Sequence, residues 1–401
     1  MSRRRDFFKT VAGIPVIGSL IPTSLASAAP AGRNFLKELG VPPIINGAGV
    51  YTMFTGSLML PEVVDAIRQM STEFVRIDEL HDRVGERIAK LLGAEGAMVS
   101  SGAFGALQLG TAAAITGDDP EKIQRIPDVR GMKNEVVVQK SHWFPYNHAI
   151  RNCGVNLIEV ETAEQIEAAI HGRTALLLFL NKAEREGKVG MQEFIDIGKK
   201  HKVPTMNDIA ADVPPVENLT RSLKMGFDLV AVSGGKGMCG PQSSGLLYGR
   251  KDLIKAARMN TLPNSDTMGR GLKVTKEEIV AVMVALESYL KRDHKADWAE
   301  WERRVKTMSD AVAKVKGVKA ERFLPEIANE VPHLRVSWDA GVVKHSPDDV
   351  KQRLRDGSPS IELIPGGGYV ADSLEIASWM LKPGDAEIVG RRIFEELSKA
   401  V

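Results

Sequence analysis

Short apolar runs alternate with stretches of helical periodicity between residue 60 and about residue 250. The first helical stretch begins at Pro61 and places apolar residues three and four apart, and residues 80–92, 163–171 and 191–201 repeat that spacing. Seven apolar runs indicate strands, at residues 97–100, 136–138, 157–160, 175–180, 204–208, 228–232 and 245–248. Continuously apolar strands separated by helices are typical of a parallel sheet buried on both faces. The pattern therefore predicts an α/β fold with a mostly parallel seven-stranded sheet.

The pattern changes after Lys273. A long helical stretch covers roughly residues 275–316, residues 333–338 alternate like a half-exposed strand, and a final helix spans about residues 384–399. We therefore predict two domains in a chain of this length. An N-terminal arm and a large domain occupy residues 29–275, and a smaller α+β domain occupies residues 276–401.

The first 28 residues have the layout of a cleaved export signal. Arginines and then Phe7-Phe8-Lys9 precede an apolar stretch from about Val11 to Leu25, and Ala26-Ser27-Ala28 follows as a small-residue cleavage site. The apolar stretch is shorter than a bilayer span, and the paired arginines resemble a twin-arginine signal. We therefore expect the twin-arginine export machinery to deliver the protein to the periplasm, with no stable membrane anchor after cleavage. The alternative is an uncleaved anchor or a basic helix at the membrane surface.

The net charge and the cysteine content argue against a nucleic-acid partner and against a metal site. The chain has a formal net charge of +2, and residues 1–28 hold four basic side chains and one acidic one, so the rest of the chain carries −1. A nearly neutral chain offers no basic surface for a nucleic acid, and we expect none as a partner. Cys153 and Cys239 are too few for a disulfide framework or a thiolate metal site, and no metal-binding motif is present, so no metal is expected.

The turn after the first apolar run has the composition of an anion site. Residues 100–106 follow a predicted strand, begin a helix and are mostly small. Backbone N–H groups at a helix N-terminus bind phosphate, Gly102 permits close approach of the backbone, and Ser101 adds a hydroxyl donor. A purely structural strand-to-helix turn has the same composition, so this feature alone does not decide the function.

A carboxylate, Asp208, ends the fifth apolar run. In parallel sheets, side chains at the carboxyl ends of strands face the ligand crevice. A carboxylate about 4 Å from a pyridine nitrogen contributes roughly 4 kcal/mol at an effective dielectric near 20, which is about three pKa units and keeps the ring protonated. The alternative is a carboxylate that caps the next helix. Asp212, one turn further along, is a weaker candidate.

The sixth apolar run leads into Ser233-Gly234-Gly235-Lys236-Gly237. Flanking glycines let the backbone pass close to a cofactor, and a desolvated lysine has a lowered pKa and becomes an amine nucleophile. Ser233 can add a hydrogen bond to a phosphate. A serine hydrolase with an S-x-x-K motif also requires Ser-Asp-Asn and Lys-Thr-Gly segments, which are absent. An anion turn, a carboxylate and a reactive lysine in this order are what pyridoxal 5'-phosphate (PLP) requires.

Residues 233–245 resemble the lysine motif of the selenocysteine-synthase-like (SelA-like) branch of fold-type-I PLP enzymes. Residues 45–49, 79–85 and 269–278 match the same branch, and the resemblance spans roughly residues 36–400. Members of this branch that do not act on tRNA are similar to D-glucosaminate-6-phosphate ammonia-lyases. The resemblance implies the fold-type-I PLP-dependent transferase fold and at least a homodimer.

The resemblance also implies roles for individual residues. Lys236 forms the Schiff base with PLP, Asp208 pairs with the pyridine nitrogen, and the phosphate lies among Ser101, Gly102, Ala103 and Ser233. His142 is expected to face the cofactor, as a stacking or proton-transfer group, with an ordinary core or surface histidine as the alternative. Arg270 and Lys273 are expected to bind a substrate carboxylate or phosphate, with solvated surface charges as the alternative. Cys239 and the aromatic stretch 141–147 depart from the family pattern. These departures affect what can be expected of the substrate pocket and leave the cofactor-binding residues unchanged.

The expected reaction is removal of the α-proton of an amino acid or amino-sugar acid, followed by β-elimination to a 2-oxo acid and ammonia. Lys236 is the expected base, and Lys236 and His142 are the candidate acids. Selenium transfer on an aminoacyl-tRNA, and PLP-dependent racemisation or aldol cleavage, are alternatives. A third alternative is a periplasmic binding protein without enzymatic activity, although binding alone needs neither Lys236 nor Asp208.

Overall fold

The computed structural model describes residues 32–326, 328–366, 369–370 and 372–401. The predicted export signal, residues 1–28, lies outside these residues, and both the signal and the periplasmic location stay predictions. Of the described residues, 32–42 belong to one compact unit and those from 43 to 401 belong to another. In the first unit, helix α1 spans Phe35–Leu39 and begins at the side-chain cap of Asn34.

The second unit contains the predicted alternation of strands and helices. Its described strands are β1 (Ile44–Gly47), β2 (Gly96–Ser101), β3 (Glu135–Gln139), β4 (Asn156–Val160), β5 (Thr174–Leu180), β6 (Thr205–Asp208), β7 (Leu229–Ser233), β8 (Ser244–Gly249), β9 (Val318–Phe323), β10 (His333–Trp338), β11 (Ser360–Leu363) and β12 (Leu374–Ala377). Its described helices are α2 (Pro61–Ser71), α3 (Ile77–Leu92), α4 (Gly102–Thr116), α5 (Pro120–Arg125), α6 (His148–Arg151), α7 (Ala163–Ala169), α8 (Met191–His201), α9 (Asn218–Met225), α10 (Lys251–Met259), α11 (Lys276–Lys291), α12 (His294–Val312), α13 (Pro347–Arg355) and α14 (Asp385–Ser398). None of the described helices has the length and hydrophobicity that a membrane crossing requires.

The seven predicted strands form one sheet in the order β2-β8-β7-β6-β5-β3-β4. Strands β7, β6, β5, β3 and β4 pair in parallel, whereas β8 is antiparallel to both β7 and β2. The predicted mostly parallel seven-stranded sheet is therefore confirmed. Because β2 and β7 both oppose β8, six strands run in one direction and end at one edge, which we call the carboxyl edge.

Both faces of this sheet are buried. Leu177 and Phe179 of β5 belong to the core on one face, and Leu176 and Leu178 belong to the core on the other. Helix α4 is buried on nearly all sides against the second face. A Cβ at Gly110 would lie 2.7 Å from the Sδ of Met206, so glycine lets α4 approach the sheet closely. This packing brings the N-terminus of α4 to the carboxyl edge.

The prediction of one long helix over residues 275–316 is wrong. Helix α11 ends at Lys291, Arg292 is extended, and α12 begins after Asp293, whose side chain accepts hydrogen bonds from two backbone N–H groups of the first turn. Helix α11 packs against α2 and α3, whereas α12 packs against α14, β9 and β10. The break therefore lets two helices cover two different parts of the molecule, a requirement that arises from packing.

The C-terminal part contains the smaller sheet. Strands β9, β10 and β12 form an antiparallel sheet in the order β12-β10-β9, which confirms the predicted α+β character of this part. Strand β1 pairs in parallel with β11, with Ile45 opposite Ile361. A strand near residue 45 therefore pairs with one more than 300 residues later. The domain boundary predicted at residue 275 stays a prediction.

Candidate active site

The carboxyl edge of the seven-stranded sheet gathers the residues that the sequence singled out. Ser101 ends β2, Asp208 ends β6, Ser233 ends β7, and Lys236 follows three residues later. Strand β8 lies between β2 and β7, so Ser101 and Ser233 are separated by two strand spacings, about 10 Å. Residues far apart in the chain thus lie within reach of one ligand.

The N-terminus of α4 has the features of an anion-binding site. Gly102 and Ala103 begin the helix, the side chain of Ser101 makes no capping hydrogen bond, and the first turn contains no acidic residue. Gly102 has a φ of 66°, a left-handed conformation that favours glycine. A Cβ on Gly245 of β8 would lie 2.4 Å from the carbonyl carbon of Gly102, so a second glycine is required there. The helix start therefore offers N–H groups and a hydroxyl to a phosphate.

Asp208 and Lys236 are a pair of opposite charges that attract without touching. Burial raises the pKa of the Asp208 carboxyl, whose Oδ1 accepts a 2.8 Å hydrogen bond from the N–H of Ala210. Burial lowers the pKa of the Lys236 amine, and the charges of Asp208 and Asp212 oppose that shift. Within the part of the chain that the structure describes, no ion pair joins Lys236 to a carboxylate.

This arrangement fits PLP. Buried charges are unstable unless a partner compensates them, and here each of the two buried groups acts on the other only through its charge. A protonated ring nitrogen would pair with Asp208, a carbonyl carbon would react with Lys236, and a phosphate would lie at the start of α4 beside Ser101 and Ser233. Each polar group of the cofactor thus has a matching group on this chain.

Asp212 belongs to the same cluster, although the sequence ranked it below Asp208. Its side chain is buried, Oδ1 has no hydrogen-bond partner among the described residues, and Asn181 contributes a side-chain hydrogen bond. Burial, followed by the charge of Asp208, raises the pKa of Asp212 to about 7. Lys182 acts on both carboxylates as a nearby positive charge. Asn181 and Lys182 directly follow β5, and attention to every strand end would have found them.

His142 lies in the core. Its side chain is fully buried, Nδ1 accepts a 3.2 Å hydrogen bond from the N–H of Leu180, and Nε2 lies 3.4 Å from Nε2 of Gln139. The ring packs edge-on against Phe179, with 4.4 Å between centroids. Burial lowers the pKa of His142 to about 4, which makes the ring neutral at physiological pH. This is the core histidine that the sequence left as the alternative, and a catalytic role stays a prediction.

Arg270 and Lys273 lie on the exposed segment before α11. The charges of Asp208, Asp212 and Lys182 act on the pKa of Lys236, and those of Lys236 and Lys182 act on the pKa of Asp208. The contact of Arg270 and Lys273 with substrate stays a prediction.

The sheet order and the opposite charges of Asp208 and Lys236 at the carboxyl edge are those of a PLP-dependent enzyme of fold type I, and the chain is an enzyme of that class. The sequence profile described as SelA: L-seryl-tRNA selenium transferase matches residues 75–343. The chain belongs to that family.

Individual relatives extend the similarity over most of the chain. The D-glucosaminate-6-phosphate ammonia lyase of Salmonella typhimurium is 29% identical over 82% of this chain and 88% of its own length. A 5'-C-glycyluridine monooxygenase-decarboxylase from Streptomyces is 28% identical over 90% of this chain and 91% of its own. A solved structure of D-glucosaminate-6-phosphate ammonia-lyase has a TM-score of 0.80 and 27% identity, and covers 92% of this chain and 99% of that one.

Proposed function

We propose that this protein is a PLP-dependent lyase that acts on an amino acid or amino-sugar acid. The α-proton and a β-hydroxyl leave together as water, and hydrolysis of the C–N bond then gives a 2-oxo acid and ammonia. The observation that carries this proposal is the buried Lys236 amine, which interacts with the charge of Asp208, in a chain similar over nine-tenths of its length to an ammonia-lyase.

The residues of this chain divide the chemistry among them. When bound, PLP supplies an electron-withdrawing ring that weakens bonds at the substrate α-carbon. Asp208 would hold a proton at the ring nitrogen, since a buried carboxylate stabilises a cation beside it. The start of α4, with Ser101 and Ser233, would hold the phosphate and thereby orient the ring. Burial favours the neutral amine of Lys236, which can accept the α-proton.

Lys236 is also the acid that we propose for the leaving hydroxyl. It carries the proton that it has just accepted and can pass that proton to the hydroxyl. His142 is neutral and packed against Phe179, with Nδ1 already accepting a hydrogen bond. One residue can therefore serve both proton transfers.

Two other reactions start from the same residues. The Streptomyces relative is named for an oxidative decarboxylation, and Lys236 with Asp208 could support that outcome, because the bond that breaks depends on its orientation to the ring. Selenium transfer on a tRNA requires a basic surface, and the chain beyond residue 28 carries a net charge of only −1. Release of ammonia, release of carbon dioxide and consumption of oxygen are measured in the same reaction. Ammonia alone indicates the lyase, and carbon dioxide release with oxygen consumption indicates the decarboxylase.

Lys236→Ala should abolish turnover and remove the visible absorbance of the bound cofactor. We expect turnover to fall at least about 10³-fold, because the variant lacks both the amine nucleophile and the base. Ammonia release from a panel of D- and L-amino acids and amino-sugar acids, together with absorbance spectra, measures both effects. Lys90→Ala, an exposed lysine on α3, is the matched control and should retain both. Retention of turnover and absorbance in Lys236→Ala would contradict the assignment.

The protein acts as a homodimer in this proposal. Large apolar side chains are exposed along one stretch of the chain, with Phe74 fully exposed and Met53 and Leu58 about two-thirds exposed. That stretch lies beside the lysine loop, since the N–H of Ser57 donates to the carbonyl oxygen of Gly235 at 3.2 Å. A second copy that covers these side chains would also close the mouth of the site.

A further inference from the structure

Lys182 is a cation at the carboxyl edge to which the mechanism above assigns no role. It lies two residues beyond Leu180 of β5, and Leu180 pairs with Asp208 of β6 in the register of the sheet. Neighbouring strands lie about 4.8 Å apart, so the backbone at Lys182 passes close to the end of β6. The strand register therefore brings this lysine near the carboxylate that would pair with the cofactor ring.

The turn that carries Lys182 is anchored on both sides of this residue. Residues Asn181–Glu186 form a 3-10 helix in which the side chains of Asn181 and Ala183 are buried. The side chain of Asn181 also donates a hydrogen bond to the carboxyl of Asp212. Lys182 itself is exposed. The fold therefore fixes the backbone of Lys182 and leaves its amine accessible to a ligand.

Lys182 interacts electrostatically with all three buried ionisable groups of the site. Burial is the main cause of the shifted pKa of Asp208, Asp212 and Lys236, and the charge of Lys182 makes a smaller contribution that lowers each pKa. Outside these three residues, Lys182 is the only described residue whose charge acts on Asp208 and on Lys236. Its ammonium group therefore lies within electrostatic reach of the whole cluster.

Neighbouring charges on the same turn are already paired, whereas Lys182 is not. Glu184 pairs with Arg221, with 3.8 Å between Oε2 and Nη2, and Arg185 pairs with Glu326, with 2.8 Å between Nη1 and Oε2. Lys182 forms no ion pair with any carboxylate in the part of the chain that the structure describes. A lysine ammonium is a compact charge with three donors on a flexible stem, so this one can bind an anion that arrives from solution.

The other charges of the cluster have partners or are neutral when the site is loaded. Asp208 would pair with the ring nitrogen, and Lys236 would be attached to the cofactor. Asp212 has a pKa of about 7, so its carboxyl is largely uncharged below that pH. The substrate of the proposed reaction brings one carboxylate, on the same carbon as the proton that Lys236 removes. Lys182 is thus an unpaired cation near the position that this anion must occupy.

We propose that Lys182 binds the carboxylate of the substrate and thereby positions the α-carbon for Lys236. This inference rests on the proposed function, because it assumes a substrate with an acid group. It adds the residue that recognises that group. The ammonium of Lys182 neutralises the carboxylate, and the buried side chains of Asn181 and Ala183 hold the lysine in place.

Calorimetric titration of the PLP-loaded protein with unreactive carboxylates tests this assignment. D-gluconate and L-lactate carry a hydroxyl in place of the reacting amine, and sorbitol and 1,2-propanediol are their uncharged counterparts. We expect at least one carboxylate to bind, and its counterpart to bind about tenfold more weakly or not at all. Lys182→Met should weaken carboxylate binding about tenfold, because a charge-assisted hydrogen bond is lost, and Lys182→Arg should retain most of it.

A second measurement needs no ligand. The positive charge of Lys182 disfavours protonation at Lys236, so its removal should make protonation easier. In Lys182→Met, the pH at which the visible absorbance of the bound cofactor changes should therefore rise by roughly half a unit. A lysine that only supports the local fold would not move this pH.

Lys133→Met is the matched control, since Lys133 is an exposed lysine two residues before β3, at the opposite edge of the same sheet. It should change neither carboxylate affinity nor the absorbance profile. The proposal is overturned if neither carboxylate binds, if Lys182→Met binds them as tightly as the unchanged protein, or if its absorbance profile does not move. Inorganic phosphate that binds more tightly than both carboxylates, with the same loss in Lys182→Met, would also overturn it.

None of these measurements requires turnover, so this inference and the proposed lyase reaction fail separately. A protein that releases no ammonia, but loses carboxylate affinity in Lys182→Met, would contradict the lyase and support the role of Lys182. A protein that releases ammonia, but binds carboxylates equally well without Lys182, would support the lyase and contradict this role.

Discussion

The protonation of Asp212 depends strongly on the surrounding structure. Its carboxyl is buried beside Asp208, and one of its oxygens has no partner among the described residues. Its pKa rises from 3.8 to about 7, first through burial and then through repulsion from Asp208. The folded protein therefore keeps a proton on Asp212 at pH values where the unfolded chain has lost it.

Asp212→Asn should become more stable relative to the unchanged protein as the pH rises. Between about pH 4 and pH 7 the folded state binds one more proton than the unfolded state at this residue, so the stability of the unchanged protein falls as pH rises. Asparagine cannot ionise, so the variant escapes this loss and should gain about 2 to 3 kcal/mol between pH 5 and pH 8. Urea unfolding without PLP measures the gain.

Asp310→Asn, an exposed carboxylate on α12, is the control and should not change the pH dependence of unfolding. Parallel stability curves for Asp212→Asn and the unchanged protein would show that Asp212 is ionised in the folded state.

At the scale of elements, close contact between α4 and β8 forms the anion site. Gly245 of β8 allows this contact, because a side chain there would collide with the start of α4 at Gly102. The edge strand β2 is held from the other side by α3, where the Nε2 of the buried His81 lies 3.0 Å from the backbone N of Val99. His81 belongs to one of the family-like segments, and its role here is structural.

Gly245→Ala should weaken PLP binding without altering Lys236. The added methyl group would displace the first turn of α4, and overpacking of this kind costs about 1 to 3 kcal/mol. We expect PLP affinity to fall roughly tenfold or more, with a lower unfolding temperature. Gly190→Ala, at a position where an added Cβ has nothing within 4 Å, is the control for both measurements. PLP affinity equal to that of the unchanged protein in Gly245→Ala would contradict the proposed anion site.

At the scale of the whole molecule, exposed apolar side chains from Met53 to Val75 are the feature that a monomer does not explain. Phe74, Val75, Leu58 and Met59 are all at least two-fifths exposed. They lie in and around the connections that flank α2, close in sequence to the segment that contacts the lysine loop. Their burial against a second copy is the physical basis of the proposed homodimer.

Phe74→Asp should convert the homodimer to a monomer, and sedimentation velocity at micromolar protein measures the change. A carboxylate buried in an apolar interface without a partner costs several kcal/mol, which weakens association by a factor of about 10² or more. Val401→Asp places the same charge at the exposed C-terminus and should leave the dimer intact. A monomer in the unchanged protein, or a dimer in Phe74→Asp, would contradict the proposed interface.

Local sequence patterns predicted most of the fold and the central residues of the candidate active site. Continuous apolar runs gave all seven strands of the large sheet, because burial on both faces leaves a mark on consecutive residues. Asp208 and Lys236 were found because each closes or directly follows such a run, and the start of α4 follows another. The break at Asp293 was missed although the residue is a favourable helix cap, since the helical periodicity continues on both sides.

The sequence by itself determined which segments are strands and helices and which side chains lie at the strand ends, because burial and periodicity are properties of neighbouring residues. Only the tertiary structure decided the reversal of β8, the pairing of β1 with β11, the approach of Asp212 to Asp208 and the position of Lys182 near both. Each of these joins segments distant in the chain. Such contacts depend on how whole elements pack, and no local pattern of residues encodes them.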